Sequence, residues 1–575
     1  MRISHLFILL AASAMLTACD FLDEYNPNSV TVGNYYTSEE DIVASLNGVY
    51  TSLTQSYVAD NYHYFTDVRA NATVVTNSGA NSGIPYQFYN YTLTEENVYV
   101  YNRYSQLYKI ISRANTLFAH LGDVSYATPS ARDTYEAEAR FLRAYFYFEL
   151  VKRYGGVPII GDKVYELNEN IELPRSTFEQ CIKYIVSELD DIKDDLRSLP
   201  LPDAAASAHV VNTQAAQALK IRVLLYAASP LFNEKPIESG NELIGYASYD
   251  RERWKIAADA ARNFINTYGT GDGAIMGLDD NFKNVFTNWY SNEHKEVIFF
   301  RENAMDKTVE TANGPLGLSG AKQGNGRTNP TQNLVDAFLM KDGHFINDKG
   351  KYEYNEQLPY AQRDPRLEYT IIHNGSSWVN STMETWQGGA NNPLGSSYSL
   401  TSYYMRKFMG DFEAANEYQD TQHNWVMFRY AEILLNFAEA ENEYLSTPSQ
   451  AVYDAIIALR RRAGIEPGEK NLYGLTTDEL THNLTQAEMR KVIQNERRIE
   501  LAFEEHRYWD IRRWRLAEQV YAQPIQGMYI TKSQTSTTYV PQAVLNVQWD
   551  NKRYFYPIPY SEVIKNKNMV QNPNW

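Results

Sequence analysis

The segment EAEARFLRAYFYFE occupies residues 136–149 and has the clearest helical periodicity in the chain. Its apolar residues recur at steps of four, three and four positions, at Ala137, Phe141, Ala144 and Phe148. Steps of three and four place side chains on one face of an α-helix, so the segment predicts a helix with one apolar face. An Ala followed four positions later by an aromatic, with Pro158 after the helix, is typical of the second helix of a tetratricopeptide unit.

Similar periodicity along most of the chain predicts a mainly α fold. Apolar spacing, with N-cap residues such as Ser130 and Ser176, predicts helices at 39–55, 96–120, 130–154, 176–198, 213–229, 250–268, 425–445, 449–463, 485–505 and 507–520. The alanine-to-aromatic step returns at Ala440 and Tyr444, but not at a regular repeat length, so we expect degenerate helix pairs. Between residues 269 and 420 the pattern gives way to Gly, Asn, Ser and Thr, and a stretch that long is usually functional.

Composition argues against two classes of protein. The 575 residues carry 53 Lys and Arg against 70 Asp and Glu, a net charge of −17, which disfavours a nucleic-acid partner. Charged residues at 21% and aromatic residues at 13% exclude a disordered chain.

The N-terminus has the pattern of a lipoprotein signal peptide. Arg2 precedes an apolar run from Leu6 to Leu16, which is too short to cross a bilayer that needs about 20 apolar residues. The run ends at Leu-Thr-Ala-Cys, so cleavage would leave Cys19 as the lipid-bearing first residue. We therefore predict a signal peptide at 1–18, a tether at 19–36 and a lipid anchor at Cys19. The second cysteine, Cys181, lies among apolar residues at helical spacing and is expected to be a small buried hydrophobe.

Patterns that would indicate catalysis or a cofactor are weak. The sequence has no His-Glu-x-x-His motif and no paired cysteines, so we expect neither a zinc site nor a cofactor. The glycine-rich residues 269–273, with Asp279 and Asp280 nearby, leave a structural calcium loop open as an alternative to plain turns. Arg497 with Glu500 and Arg507 with Asp510 fall three positions apart, which favours structural ion pairs over a proton relay.

Motifs along the whole chain resemble the SusD/RagB family of outer-membrane nutrient-binding lipoproteins of Bacteroidetes. They are, in order, CDFLD from Cys19, LNGVY from Leu46, AEARFLRAY from Ala137, YGGVP from Tyr154, PTQ from Pro330, RDPR from Arg363, RYAEILL from Arg429, ERRIEL from Glu496, HRYWD from His506, YPIP from Tyr556 and QNP from Gln571. The chain departs from the family at Glu505, where a Gly is usual, and at its Asn574-Trp575 end.

The resemblance implies a right-handed superhelix of about four tetratricopeptide-like helix pairs, with loop insertions that form a ligand surface. It implies one domain over 37–575, with a helical part at about 37–268, a loop-rich insertion at about 269–420 and a C-terminal part at about 421–575. It also implies a cell-surface location and a TonB-dependent transporter as partner, to which the protein delivers an oligosaccharide or polysaccharide.

Aromatic residues in loops locate the expected ligand site, because a loop offers them less core to fill. The predicted ligand-binding residues are Arg69, Asn71, Tyr86, Phe88, Tyr89, Trp289, Trp378 and Trp386. The two tryptophans at 378 and 386 lie beside Asn380, Gln387 and Asn391, which could bond sugar hydroxyls.

Three functions are weighed for such a site. A non-catalytic glycan-binding lipoprotein is favoured, since sugars need aromatic platforms beside polar groups. A peptide-binding protein of the same family is the alternative, and a surface glycoside hydrolase would require two carboxylates about 5–10 Å apart across a cleft.

Overall fold

The structure is a computed structural model that describes residues 35–53, 73–75, 94, 103–166, 169, 171–200, 208–287, 289, 294–395, 398–478 and 481–575. The longer helices are α1 (Glu39–Tyr50), α2 (Tyr104–His120), α3 (Ala131–Tyr154), α4 (Phe178–Ile192), α5 (Thr213–Ala228), α7 (Glu252–Tyr268), α12 (Tyr430–Tyr444), α13 (Gln450–Ala463) and α14 (Gln486–Glu500). The short helices are α6 (Pro230–Asn233), α8 (Asn284–Thr287), α9 (Thr308–Asn313), α10 (Gln332–Val335), α11 (Arg366–Thr370), α15 (Arg507–Arg513), α16 (Ala517–Tyr521) and α17 (Tyr560–Lys565).

In the described ranges ten strands pair in twos, all antiparallel. The pairs are β1 (Thr73–Val75) with β3 (Thr328–Pro330), β2 (Val297–Arg301) with β8 (Trp425–Arg429), β4 (Ile371–Ile372) with β7 (Tyr404–Met405), β5 (Ser377–Trp378) with β6 (Ser381–Thr382), and β9 (Ile525–Lys532) with β10 (Thr537–Leu545). None of the helices in the described ranges is long and apolar enough to pass through a bilayer.

The helices form a continuous packed series, which confirms the mainly α, tetratricopeptide-like superhelix. Helix α1 packs on α2 and α3, α2 on α3, α3 on α4, α4 on α5, α5 on α7, α7 on α12, and α12 on both α13 and α14. Each helix packs mainly on its neighbours in the series, as in repeat proteins, and most of the buried apolar residues join into one hydrophobic core.

Helix α3 contains the segment that predicts the fold, and it is buried on more than one face. Ala137, Phe141, Ala144 and Phe148 are all buried, as their spacing predicts. Arg143 on the opposite side is buried as well, and its guanidinium contacts Glu188 of α4 at 2.8 Å. The periodicity predicts one buried apolar face on α3. The helix is buried on further faces as well, because α2 and α4 both pack on it.

Local signals fix several helix ends, with one correction. Helix α4 begins after Thr177, whose side chain accepts from the Gln180 backbone N–H while the Gln180 side chain accepts from Thr177. This reciprocal pair is a capping box, so the prediction that Ser176 is the N-cap is wrong by one residue. Cys181, in the first turn of α4, is free and buried, as expected.

A long insertion separates the packed helices α7 and α12. It begins at Gly269, where an added Cβ would overlap the hydroxyl of Tyr430, the first residue of α12. The chain thus leaves and returns at one point, with an insertion of residues 269–429 in between. Residues 425–429 are strand β8 and not the start of a helix, because they pair with β2 inside the insertion.

A buried ion cluster joins the insertion to the C-terminal helices. It contains five basic and five acidic side chains, namely Arg366, Lys407, Arg429, Arg460, Arg462, Glu296, Asp364, Glu496, Glu500 and Glu504. Arg366 bonds Glu500 at 2.8 Å, and Arg429 bonds Glu500 at 2.7 Å and Glu296 at 2.6 Å. Matched numbers of opposite charges offset the cost of burying them, so the cluster fixes the insertion on the helical frame.

The predicted ion pairs of the C-terminal part are structural, but their partners differ. Arg497 bonds Asp510 at 2.8 Å and not Glu500, whose partners are in the ion cluster. Asp510 also accepts from Arg513 at 2.9 Å. A tertiary contact between α14 and α15 therefore replaces the predicted Arg497–Glu500 pair, whereas within α15 Asp510 pairs with Arg513, three positions after it.

Candidate functional site

The predicted site residues fall into two groups. Cys19, Arg69, Asn71, Tyr86, Phe88 and Tyr89 lie outside the described residues. Trp289, Trp378 and Trp386 lie inside the insertion, where their surroundings can be compared with the expected exposure.

The exposure expected for Trp289 and Trp378 is wrong. Trp378 is 1% exposed, and its indole N–H donates to the Tyr418 hydroxyl at 3.0 Å. Trp289 is 5% exposed and donates to the Gln422 backbone oxygen at 3.1 Å. Both rings belong to the hydrophobic core. A Gly- and Asn-rich composition did not mean an absence of core, because the insertion packs its own large side chains inward.

Trp386 keeps part of its surface exposed. Its indole nitrogen is buried and has no hydrogen-bond partner among the described residues, so any side-chain surface that it exposes is carbon. The Lys532 ammonium lies 5.3 Å from the ring centroid and also pairs with Glu384 at 3.5 Å. A Cβ added at Gly388 would contact both Leu394 and the Trp386 ring, so the strongly exposed Leu394 lies beside the same ring. These residues form a surface of carbon flanked by charged groups, which we call the Trp386 surface.

Hydrogen bonds to other parts of the insertion hold the loop that carries Trp386 in place. Asn391 is buried, accepts from the Glu384 backbone N–H at 2.9 Å and donates to the Leu316 backbone oxygen at 2.7 Å. The Asn380 side chain donates to the Glu413 backbone oxygen. Two of the three amides predicted to bond a ligand, those of Asn380 and Asn391, are thus used by the fold. Gln387 is partly exposed, and its side chain has no hydrogen-bond partner within the described part of the chain.

The hairpin of β9 and β10, at 525–545, lies against the loop that carries Trp386 and contributes Lys532 to this surface. Its strand β9 is bound to the insertion, because the Gln387 N–H donates to the Ile530 oxygen at 2.9 Å and the Met528 N–H donates to the Thr401 oxygen at 3.0 Å. On β10, the Tyr539 hydroxyl accepts from the Asn374 amide at 3.0 Å. The hairpin therefore brings Lys532 to Trp386 across about 146 positions of sequence, counted from their numbers.

The last predicted helix ends at residue 520, and no strand was predicted after it, so Lys532 and the hairpin were missed. A signal was present in the run of β-branched and aromatic residues on both sides of Ser533–Ser536, a turn-like group of small polar residues.

The carboxylate of Asp279, proposed as part of a calcium loop, contacts protein groups. The Asp279 carboxylate accepts from the Lys295 N–H at 2.9 Å and from the Glu296 N–H at 3.2 Å, and it also contacts His294. Within the described ranges, no group of three or more His, Cys, Asp or Glu side chains is placed to hold a metal ion. The calcium alternative for residues 269–273 therefore stays a prediction.

Two family models match the chain. One, described as the SusD family, matches residues 295–575, and the other, described as starch-binding associating with outer membrane, matches residues 20–225. A SusD-like protein, P2, of Formosa agariphila is 24% identical over 587 residues, which cover 99% of this chain and 98% of that protein.

Solved structures share the fold. A SusD-like carbohydrate binding protein of Bacteroides fragilis is 24% identical with a TM-score of 0.70, over 93% of this chain and all of that one (100%). A laminarin binding SusD-like protein is 20% identical with a TM-score of 0.62, over 94% of this chain and 100% of that one.

Proposed function

The chain belongs to the SusD/RagB family, and on that premise we propose that it is a non-catalytic protein that binds an oligosaccharide or polysaccharide at the cell surface. The observation that carries this proposal is the Trp386 surface, where partly exposed carbon lies beside Lys532, Glu384 and the unbonded amide of Gln387. The ligand would then pass to a TonB-dependent transporter, as the family resemblance implies.

The chemistry of the Trp386 surface suits a sugar. A pyranose ring has a C–H face that packs on aromatic carbon and hydroxyl edges that bond amide and charged groups. Because the loop and the hairpin are both held by backbone hydrogen bonds, Trp386 and Lys532 would need little ordering when a ligand binds, which favours affinity. The description of one matching family model as starch-binding and the laminarin-binding neighbour support a carbohydrate as the ligand class.

Binding without catalysis is the simpler account of this surface. Hydrolysis of a glycosidic bond needs one carboxylic acid and one carboxylate on opposite sides of the bond. Glu384 lies beside Trp386 and pairs with Lys532 at 3.5 Å, so it supplies one carboxylate and not the pair that hydrolysis needs. We therefore expect the purified protein to leave the length of every bound oligosaccharide unchanged.

A peptide is the alternative ligand, and the hairpin argues against one way of binding it. Peptides often add as an extra strand to a free sheet edge. On the outer edge of β10, the side-chain amide of Gln357 bonds both the N–H and the oxygen of Tyr539, each at 3.1 Å, and Pro541 has no N–H to offer. Strand addition at this edge is therefore blocked, and a peptide would have to bind through side chains.

The anchor and the partner are part of the same proposal. Acylation at Cys19 by two or more chains would tether the protein stably, at about 0.8 kcal/mol per buried methylene. We expect Cys19→Ser to release the protein from membranes, and gentle detergent extraction of the wild type to recover a TonB-dependent transporter with it. A variant that remains membrane-bound would contradict the anchor, and recovery of the lipoprotein alone would contradict the partner.

A binding panel tests the ligand class. Purified protein is run through native gels that contain starch, laminarin, xylan or alginate, and is titrated in parallel with a mixture of short peptides. Retardation by at least one polysaccharide, with no shortening of its oligosaccharides, is the expected result. Binding of peptides alone would establish the alternative, and shortened oligosaccharides would establish a hydrolase.

A further inference from the structure

The β9–β10 hairpin is unusually poor in charge. Within residues 525–549 only Lys532 is charged, whereas 21% of the whole chain is charged. The remaining polar residues of this stretch are Ser, Thr, Gln, Asn and Tyr. A surface hairpin of a protein with a net charge of −17 would ordinarily carry several charges, so their absence here needs a physical reason.

One face of the hairpin is open. Tyr529 and Val540 face each other directly across the two strands and are 43% and 49% exposed. Thr531 pairs with Thr538 on the same face, and Gln542 follows next to Val540. Side chains of a strand alternate between faces, so these five exposed residues form one outer face, while Met528 and Ile530 are buried on the other.

Contacts to the insertion hold both strands that carry the outer face, and the outer edge of β10 is not free for another strand. Backbone hydrogen bonds to Gln387 and Thr401 hold β9, and Gln357 and Pro541 block the outer edge of β10. Natural proteins often protect sheet edges with charged residues. This hairpin uses an amide and a proline for that purpose, which leaves the outer face free of charge.

We propose that the outer face of the hairpin is a second contact surface for a neutral polysaccharide. The proposal rests on the function proposed above and adds the class of ligand. The Tyr529 ring and the Val540 methyls offer apolar contact, while Thr531, Thr538 and Gln542 offer uncharged hydrogen-bonding groups.

Charge selects against an anionic polymer on this face. An acidic polysaccharide would meet a protein of the same sign and would find no basic side chain among the five residues of the outer face. Lys532, the nearest cation along the strand, has the opposite parity to Tyr529 and Thr531, and it contacts Trp386 and Glu384. A neutral polysaccharide needs no cation, so the absence of basic side chains from the outer face does not weaken its binding.

Because Trp386 and the outer face lie on opposite sides of the hairpin, a long chain could contact both, whereas a short oligosaccharide would occupy one of them. Two linked contacts raise the affinity for a polymer beyond that of either contact alone. Loss of the outer face should therefore reduce binding of the polymer more than binding of a short oligosaccharide.

The test compares Tyr529→Ala with Tyr249→Ala, a tyrosine that is similarly exposed (53%) on another part of the protein. Native gels containing starch, laminarin or xylan measure polymer binding, alginate serves as the anionic probe, and Thr538→Ala is a second, milder variant. We expect Tyr529→Ala to weaken binding of a neutral polymer by about 5-fold or more, as loss of an aromatic stacking contact does. Tyr249→Ala should match the wild type, and all variants should unfold at the same temperature.

Specific results would overturn the inference. Equal retardation of Tyr529→Ala, Thr538→Ala and the wild type in every neutral gel would overturn it while leaving the proposed function intact. Retardation of the wild type by alginate alone would contradict the neutral class. Unchanged glycan binding by Tyr529→Ala, together with loss of self-association or of transporter recovery, would make the face a protein contact. No retardation of the wild type by any polymer would remove both the inference and the function on which it rests.

Discussion

Replacement of Glu500 by Gln should weaken the attachment of the insertion to the helical frame. Glu500 is fully buried, and its carboxylate contacts Arg366, Arg429 and Arg462. The substitution keeps the shape of the side chain but leaves five cations against four anions in the buried ion cluster. Removal of one partner from a buried ion pair costs about 3–5 kcal/mol, because an uncompensated charge stays in a medium of low polarity. That is a large share of a typical stability of about 5–15 kcal/mol.

Thermal and denaturant unfolding measure this loss. At about 2.1 cal/mol/K per residue, the unfolding entropy of a chain of roughly 550 residues is about 1.2 kcal/mol/K, so a loss of about 3–5 kcal/mol should lower the Tm by about 2.5–4 °C. Glu356→Gln makes the same chemical change at an exposed position of the insertion and should shift stability by less than about 0.5 kcal/mol. If the two variants lost equal stability, the ion cluster would not hold the insertion as argued.

Acid should remove the same contribution from the wild type. Burial alone would raise the pKa of Glu500, but Arg462, Arg429 and Arg366 hold it well below its ordinary value. A carboxylate with a lowered pKa in the folded state stabilises the protein above its unfolded pKa of about 4.3, and this stability is lost as the pH falls toward the folded pKa. The difference in stability between wild type and Glu500→Gln should therefore be constant near neutral pH and shrink below about pH 4.

The remaining predictions concern local packing and are all measured by thermal unfolding. Gly269→Ala should cost about 1–3 kcal/mol, because its Cβ would overlap the Tyr430 hydroxyl where the insertion begins; Gly273→Ala, which has open space, is the control. Trp378→Phe should cost about 1–3 kcal/mol by leaving the buried Tyr418 hydroxyl without its indole donor, and glycan affinity should not change. Thr177→Ala should cost about 1 kcal/mol through loss of the capping box of α4, and an unchanged Tm would contradict the capping role.

Periodicity along the chain predicted the helical frame well, because the pattern of apolar residues depends on local geometry. The buried face of α3 and the burial of Cys181 both follow from spacing of three and four residues. Errors occur where distant contacts decide the structure. Residues 425–429 have apolar spacing that suits a helix, yet they form β8 because β2 supplies a partner about 130 positions away.

The exposure of individual residues in the insertion was harder to predict than the existence of the insertion. A composition rich in Gly and Asn suggested little packing, but the buried Asn391 and Asn392 bond backbone groups and stabilise loops around an internal core. Trp378 could join that core because the Tyr418 hydroxyl accepts a hydrogen bond from its indole N–H. No local sequence pattern predicts this contact. Lys532 could not be assigned to Trp386 from sequence, since the hairpin that carries it was not predicted.

Calorimetry with Trp386→Ala tests the central claim, that the Trp386 surface binds carbohydrate, most directly. Trp575→Ala is the matched control, because Trp575 is also partly exposed and lies 4.3 Å beneath the ammonium of Lys552, on another part of the protein. With the polysaccharide that retards the wild type most strongly, Trp386→Ala should lose about 1–3 kcal/mol of binding free energy, or about 5- to 150-fold in Kd. Trp575→Ala should bind like the wild type. Equal affinity of Trp386→Ala and the wild type, with both folded, would contradict the account.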